Sequence, residues 1–173
     1  MAIIIPTRSI PDGSVPLIDI STLANVTLAH TPAEILVQYL VSAESMNLPS
    51  DSSDWPIYTH RMPDSSDVAN NTIAVFNTGG VLDGKDMSGA MDQHRGLQVR
   101  VRATSERLGY VQLQGMVEFL IAIHFVLVTM AVDGEIYRIN SISQTSDVVP
   151  ISEDDKRRTH LTVNLLMSER RIS

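Results

Sequence analysis

One segment carries residue types that could bind a nucleotide. The run from Gly79 to Asp86 reads Gly-Gly-Val-Leu-Asp-Gly-Lys-Asp, so that four residues separate its first glycine from Gly84 and Lys85. In a phosphate-binding loop of this spacing the lysine contacts the phosphates, and the next residue supplies a hydroxyl to magnesium. Here the next residue is Asp86, whose carboxylate would repel phosphate, and residues 87–90 predict no helix whose N-terminus could hold the anion. Nucleotide binding is therefore kept only as a distant alternative.

The residues that usually bind metals form no recognised motif. Asp83, Asp86 and Asp92 are close in sequence, but they lack the alternating oxygen donors, central glycine and closing glutamate of a calcium loop. The five histidines are scattered, with no pair at ligand spacing on one helix. Cysteine is absent, which excludes thiolate ligands and disulfides. We predict no metal and no cofactor, and we expect His124 to be hydrogen-bonded in or beside the core.

Catalytic patterns are also missing from the sequence. Serine is plentiful, but no Gly-x-Ser-x-Gly elbow occurs, and a triad of distant residues could be imagined in almost any chain. We therefore predict no catalytic residues and do not expect an enzyme.

Composition indicates one soluble domain with protein partners. The chain has 173 residues, of which 43% are apolar, and a net charge of −7. This negative charge disfavours tight electrostatic binding of nucleic acid. Eleven of the thirteen cations are arginines, whose planar guanidinium suits ion pairs at protein interfaces. No membrane span is predicted, because the long apolar run from Met116 to Val132 contains Glu118 and His124. No signal peptide is predicted, because no cationic segment followed by an apolar one is recognised.

The first half of the chain predicts an arm, a helix and two strands. Residues 1–30 show no sustained period and are interpreted as an N-terminal arm, followed by a domain over 31–173. A helix begins with Thr31 as N-cap and a capping-box Glu34, and is expected to end near Leu48-Pro49. Two Asp-Ser-Ser-Asp turns flank an extended piece around Trp55.

The strands that follow enclose what reads as a long loop. Strands are predicted over Thr72–Asn77 and Gly96–Arg102, with a loop from Thr78 to Gly96 that exceeds the length a hairpin needs. Arg100 and Arg102 share one face of the second strand, opposite Val99 and Val101. That face is either solvated or a row of arginines that meets a neighbouring subunit.

The second half predicts a helix and three strands. A helical period starts after Ser105, and a strand over Leu127–Val132 should return through a two-residue Asp133-Gly134 turn into Glu135–Ser143. A loop from Gln144 to Arg158 leads to a final strand of period two. The predicted fold is α+β, with a mostly antiparallel sheet of about five strands and two main helices packed on it.

Several short motifs follow one another in an informative order. In chain order they are Trp55-Pro56-Ile57-Tyr58, Met62-Pro63-Asp64, Asn77-Thr78-Gly79-Gly80, His94–Arg102, Asp133–Ile139, Asp154–Arg158 and Leu161–Leu165. In this order they resemble the phage minor capsid and tail terminator family, over roughly Thr31 to Arg170. They are signatures of a fold and not of catalysis.

This resemblance implies a structural virion protein. Its members form a ring, usually a hexamer, that caps the finished tail tube and joins it to the head or neck. The implied partners are the chain itself, the tail tube protein and a neck or connector protein, with genomic DNA passing through the lumen and no membrane. The implied locations are the virion tail or neck and, during assembly, the host cytoplasm. A head–tail connector or head completion protein is the alternative.

The resemblance also gives the Thr78–Gly96 loop a role, as a segment that becomes ordered on assembly. Expected exposure and the arginine bias select eight candidate contacts with a neighbouring subunit or the tail. These residues are Asp83, Lys85, Asp86, Arg95, Arg100, Arg102, Arg157 and Arg158.

Overall fold

The computed structural model describes residues 30–44, 46, 55–64, 70–85 and 91–172, and the side chains of these except at 82–85 and 91–93. Residues 1–29, which form almost all of the predicted arm, lie outside this part. The elements in chain order are α1 (Pro32–Ser42), β1 (Ile57–Thr59), β2 (Thr72–Lys85), β3 (Met91–Ala103), α2 (Glu106–Ile121), β4 (His124–Thr129), β5 (Ile136–Gln144), β6 (Val149–Glu153) and β7 (Thr159–Arg171).

Helix α1 begins as its capping signals predict but ends earlier. The Thr31 hydroxyl accepts a hydrogen bond from the Glu34 backbone N–H, and the Glu34 carboxylate accepts one from the Thr31 N–H at 2.7 Å. The predicted end near Leu48-Pro49 is wrong, because the helix stops at Ser42 and Glu44 adopts a left-handed φ of 55°. A residue in that conformation cannot continue a right-handed helix.

The sheet is larger than predicted and it is mixed. Its strand order is β1-β2-β3-β7-β5-β4, and β6 pairs with β7 outside this path. Strand β1 runs parallel to β2, whereas the other pairs are antiparallel. The expectation of about five mostly antiparallel strands is therefore corrected to seven strands in a mixed sheet, while the two predicted helices are confirmed. The three residues of β1 are too few to show a period.

The long loop predicted over Thr78–Gly96 is mostly strand. Pairing between β2 and β3 continues through Val81 with His94 to Lys85 with Met91, with register shifts on the way. Gly80 and Gly96 sit where the two backbones approach so closely that a Cβ on either would overlap main-chain atoms of the other strand. The glycines that resemble a loop in the sequence thus allow an irregular hairpin. Residues 86–90 lie outside the described part.

The second half follows the prediction with two corrections. Helix α2 begins at Glu106, which confirms the predicted start of a helical pattern from Ser105, and the structure shows Ser105 to be its N-cap. Strands β4 and β5 form an antiparallel hairpin, but the predicted two-residue turn is wrong: the connection runs from Met130 to Glu135, and the Asp133 carboxylate accepts the Glu135 N–H at 3.1 Å. Strand β6 lies within the predicted loop. Its five residues are all exposed, so no alternation of apolar and polar residues marked it.

One face of the sheet holds the core. Alternate residues of β3 and β7 are fully buried there beneath the helices, including Val99, Val101 and Val163. Helix α2 packs against β3, β5 and β7, whereas α1 packs against β1, β2, β3 and β4. Because β1 and β4 are at opposite ends of the strand order, the sheet curls so that α1 contacts both of its ends. The opposite face of β3 and β7, called the outer face below, is polar at Gln98 and Asn164.

Two glycines in α2 provide a matched test of this packing. A Cβ at Gly109 would lie 2.5 Å from the Leu161 Cδ1 and 3.0 Å from the Ala103 Cβ, whereas nothing lies within 4 Å of one at Gly115. We expect Gly115→Ala to raise the free energy of unfolding by about 1 kcal/mol through helix propensity. Gly109→Ala should lower the free energy of unfolding by roughly 1–3 kcal/mol, because the added methyl group has no room between the helix and the sheet. Urea denaturation measures both, and equal stabilisation by the two substitutions would contradict the packing.

Candidate functional site

Three of the motifs in the sequence meet in one ion-pair cluster on the outer face. The Arg158 guanidinium donates to Asp64 at 2.5 Å and to Asp154 at 2.6 and 2.7 Å. Arg102, on the neighbouring strand β3, donates to the Pro63 carbonyl at 2.8 Å and lies 3.4 Å from the Asp64 carboxylate. The cluster thus ties the segment before residue 65, strand β3 and the β6–β7 turn together.

The local backbone explains why Asp154 occupies this position. One of its carboxylate oxygens accepts the backbone N–H groups of Lys156 and Arg158, each at 2.9 Å, and Arg157 adopts a left-handed φ of 58°. This is an aspartate-capped turn, in which the side chain replaces a strand partner for two N–H groups. The turn directs the Arg158 guanidinium back onto the Asp154 carboxylate.

Electrostatics in the cluster favour the charged forms of both aspartates. The hydrogen bond from Arg158 holds the pKa of Asp154 and that of Asp64 below their ordinary values. Burial is the main cause that lowers the pKa of Arg102, and repulsion from Arg158 lowers this pKa further. Asp64 therefore keeps two guanidinium groups and the Lys156 ammonium, 3.5 Å away, close together.

The structure separates the eight predicted contact residues into distinct places. Arg102 is only 1% exposed, so the expectation that it shares a solvated face with Arg100 is wrong. Arg158 is also buried, although it was chosen as an exposed residue. Both guanidinium groups bind carboxylates of their own chain, which the sequence did not indicate because Asp64 is 38 and 94 residues away from them.

Arg100 and Arg157 are exposed, as expected. The Arg100 guanidinium lies 4.8 Å from the centre of the Phe76 ring and donates to the Gln98 side chain at 2.7 Å. Asp83 and Lys85 belong to the distal part of β2, and Asp86 lies outside the described residues. The Gly79–Lys85 run is paired strand, which does not resemble a phosphate-binding loop leading into a helix.

Arg95 lies on the core-facing side of the sheet, opposite to Arg100. Its register partner is Met167, and the next residue of β7 on that side is Glu169. The Glu169 carboxylate is 8% exposed and accepts no hydrogen bond from any described residue. Burial raises the pKa of Glu169 to about 7, although the charge of Arg95 opposes this shift.

The described residues offer little for catalysis or metal binding. They contain no group of three histidine, aspartate or glutamate side chains arranged for a metal ion. His124 is exposed rather than placed in or beside the core as expected. Neither described helix is long and apolar enough to cross a membrane.

Exposed apolar side chains on regular elements are the feature that sequence analysis missed. Strand β4 exposes Phe125 and Leu127, β6 exposes Val149 and Ile151, and α2 exposes Val111 and Phe119. Large apolar residues grouped on a surface mark protein contacts more often than single ones do. The Phe125 and Leu127 pair could have been noticed as alternation within the apolar run, but their outward direction depends on which face the helices cover.

Comparison with known proteins shows which family the chain matches. A family model described as "Bacteriophage tail terminator protein" matches residues 39–168, which is most of the chain and spans all elements from late α1 into β7. No curated protein sequence matches the chain significantly. The resemblance seen in the order of motifs is therefore confirmed at the level of the family.

Substitution of Arg158 tests the ion-pair cluster. Arg158→Met should lower the free energy of unfolding at pH 7 by about 2 kcal/mol, because charged hydrogen bonds are lost and two carboxylates are left together. Arg157→Met, one residue away and exposed, is the control and should change little. Since the aspartate pKa values are depressed in the folded chain, the stability they confer is present above about pH 4 and lost below it. In Arg158→Met the free energy of unfolding, measured by urea denaturation, should decrease less between pH 4 and lower pH than in the wild type. An unchanged pH dependence would contradict the cluster.

Glu169 predicts a pH dependence of the opposite sign. Its pKa is raised in the folded chain, so its contribution to stability is complete below about pH 4.5 and declines as the pH rises through about 7. Glu169→Gln should remove this decline and make the protein more stable than wild type at pH 8.5, by up to roughly 3 kcal/mol. The comparison requires unfolding curves at pH 5.5 and 8.5. Equal stabilisation at both pH values would show that the carboxylate is not the cause.

Proposed function

We propose a specific role for this chain on the premise, shown by the match over residues 39–168, that it belongs to the bacteriophage tail terminator family. Family membership makes it a structural protein associated with the phage tail. The proposed role is a subunit of a ring, most simply a hexamer, that caps the finished tail tube and joins it to the head or neck. Its partners would be further copies of itself, the tail tube protein and a neck or connector protein.

The observation that carries this proposal, beyond the family, is the exposure of apolar side chains on strands and helices. In α2, Leu108, Val111 and Phe119 lie exposed along one side of the helix, and Phe125 and Leu127 are exposed on β4. A protein that works alone gains nothing from these surfaces, whereas a subunit buries them between copies or against the tube. Genomic DNA would pass through the lumen, and assembly would take place in the host cytoplasm.

Within this role the predicted contact residues divide in two. We assign Arg100, Arg157 and the distal β2–β3 hairpin, with Asp83, Lys85 and Asp86, to contacts with the tube or neck. Arg95 is kept as a candidate of the same kind. The buried Arg102 and Arg158 act as positioning residues, because they fix the turns from which neighbouring side chains project.

Two other functions predict different results. A head–tail connector would share the small size and the ring, but cryo-electron microscopy would place it on the head before tails attach. A nucleotide-binding domain would bind ATP and magnesium and lose that binding on Lys85→Ala. The strand conformation of Gly79–Lys85 does not favour the second alternative.

A phage in which the gene for this chain is disrupted tests the role directly. We expect such a phage to produce filled heads and separate tails, and purified protein should restore joined particles when it is added to the tails but not when it is added first to the heads. Electron microscopy and plaque titre measure both. Joined, infectious particles formed without the protein would overturn the proposal, and rescue through the heads alone would favour the connector.

The distal hairpin provides a variant that separates folding from attachment. Replacing residues 82–93 by Asn-Gly would join Val81 directly to His94 by a two-residue turn and keep the pairing below it. We expect this variant to fold and to keep the wild-type oligomeric mass, but to lose at least tenfold in the rescue assay. Full rescue would show that the hairpin does not contribute to the contact with the tail.

A further inference from the structure

Three strands of the sheet keep one edge unpaired in the described part of the chain. Strands β1 and β4 end the pairing order, and β6 pairs only with β7. An open edge presents backbone N–H and C=O groups to any strand of suitable length, and proteins usually block it with charge or with a covering element. Of these three strands, β4 and β6 carry large exposed apolar side chains, whereas the residues of β1 are buried or half-buried.

The surface of β4 is apolar with a cationic border. Phe125 is 71% exposed and Leu127 is 61% exposed. Phe125 has a left-handed φ of 54°, an unfavourable conformation for an aromatic residue, and strained backbone is characteristic of functional positions. Arg138 on β5 is the register partner of Leu127, Arg170 lies one strand further in on β7, and neither arginine forms an ion pair with a described carboxylate. The Arg138 guanidinium lies 5.8 Å from the Phe125 ring centre.

The surface of β6 is apolar with an acidic border. Val149 is 44% exposed and Ile151 is 52% exposed. Asp147 precedes the strand, Glu153 ends it and Asp155 follows, and all three are exposed. No ion pair joins them to a cation within the described residues. The first cations beyond the strand are Lys156, close to Asp64, and the exposed Arg157.

We infer that β4 of one copy binds β6 of the next copy, as the contact between neighbouring subunits. This inference rests on the proposed ring. The strands have matched lengths of six and five residues, so backbone pairing could run along both. Each carries two large apolar side chains, and the uncompensated charges on their borders have opposite signs.

Charge complementarity favours the unlike pair of strands. The Arg138 side chain reaches from β5 to the Phe125 ring on β4, and Glu153 and Asp155 lie at the end of β6, so pairing of β4 with β6 brings a cation and carboxylates to one contact. A second β4 carries no carboxylate and a second β6 carries no cation, and complementarity of this kind selects both partner and orientation. A contact between two different surfaces is heterologous, and repetition of such a contact closes into a ring when the rotation allows.

Cysteine cross-linking tests the contact, because the chain has no cysteine of its own. The variant Leu127→Cys/Ile151→Cys should give, on mild oxidation, a ladder of covalent species that ends at the ring, whereas each single variant should remain uncross-linked. The control Val111→Cys/Ile151→Cys places its first cysteine at a comparably exposed site on α2 and should give no ladder. Non-reducing electrophoresis resolves the products.

The outcomes distinguish this inference from the proposed function. A ring of the expected mass without a ladder would assign the two edges to other virion proteins and overturn the inference, while the terminator role stood. Covalent dimers that do not extend would show a two-fold contact and also overturn it. A protein that neither oligomerises nor joins tails would overturn the proposed function as well.

Charge reversal provides an independent test. Arg138→Glu and Glu153→Arg should each abolish the oligomer at a concentration where wild type is fully assembled, and the double variant should recover it, since opposite charges then face each other again. Arg107→Glu, an exposed reversal on α2, should leave assembly unchanged. Circular dichroism confirms that each variant is folded. Loss of assembly in the single variants without recovery in the double variant would overturn the pairing of these two borders.

Discussion

Strand β7 pairs with three other strands, and this pairing determines where the exposed surfaces of the molecule lie. Its first residues bind β6, its later residues bind β5, and β3 covers its other side. The curl that follows brings both ends of the sheet to helix α1, so the core is enclosed on one face only. Strands β1, β4 and β6 each keep one edge unpaired within the described residues, and β4 and β6 also carry exposed apolar side chains. Such edges are suited to association with another chain.

Buried charge is the second constraint on this fold. A guanidinium inside a protein must be matched by carboxylates, and Arg102 and Arg158 are matched by Asp64 and Asp154 across strands distant in sequence. Those arginines hold the outer face in place. Arg138, Arg170 and the acidic residues around β6 form no ion pair within the described residues, so their charges are left for contacts with other molecules. The arginine-rich composition thus serves two purposes that composition alone does not separate.

The sequence predicted features set by local chemistry. The Thr31 cap, the start of α2 next to Ser105, the alternation in β7 and the β4–β5 hairpin all follow from neighbouring residues, and the structure has each of them. Sequence analysis failed where contacts between residues far apart in the sequence determine the structure. Burial of Arg102 depends on Asp64, β1 exists only because β2 pairs with it, and β6 is a strand with no buried side chain. The glycines at 80 and 96 indicated a loop because close approach of two backbones requires the same residue as a turn. Among the eight arginines, lysines and aspartates predicted as contacts, the burial of Arg102 and Arg158 could not be read from neighbouring residues.

The central claim is that this chain assembles with itself into a closed ring of the tail terminator kind. Absolute mass by light scattering behind size exclusion, over a concentration series and with purified tail tubes added at the end, tests it most directly. We expect the mass of six copies, either for the free protein or for the protein bound to the tubes. A chain that stays monomeric at every concentration and also fails to form a ring on the tubes would contradict it.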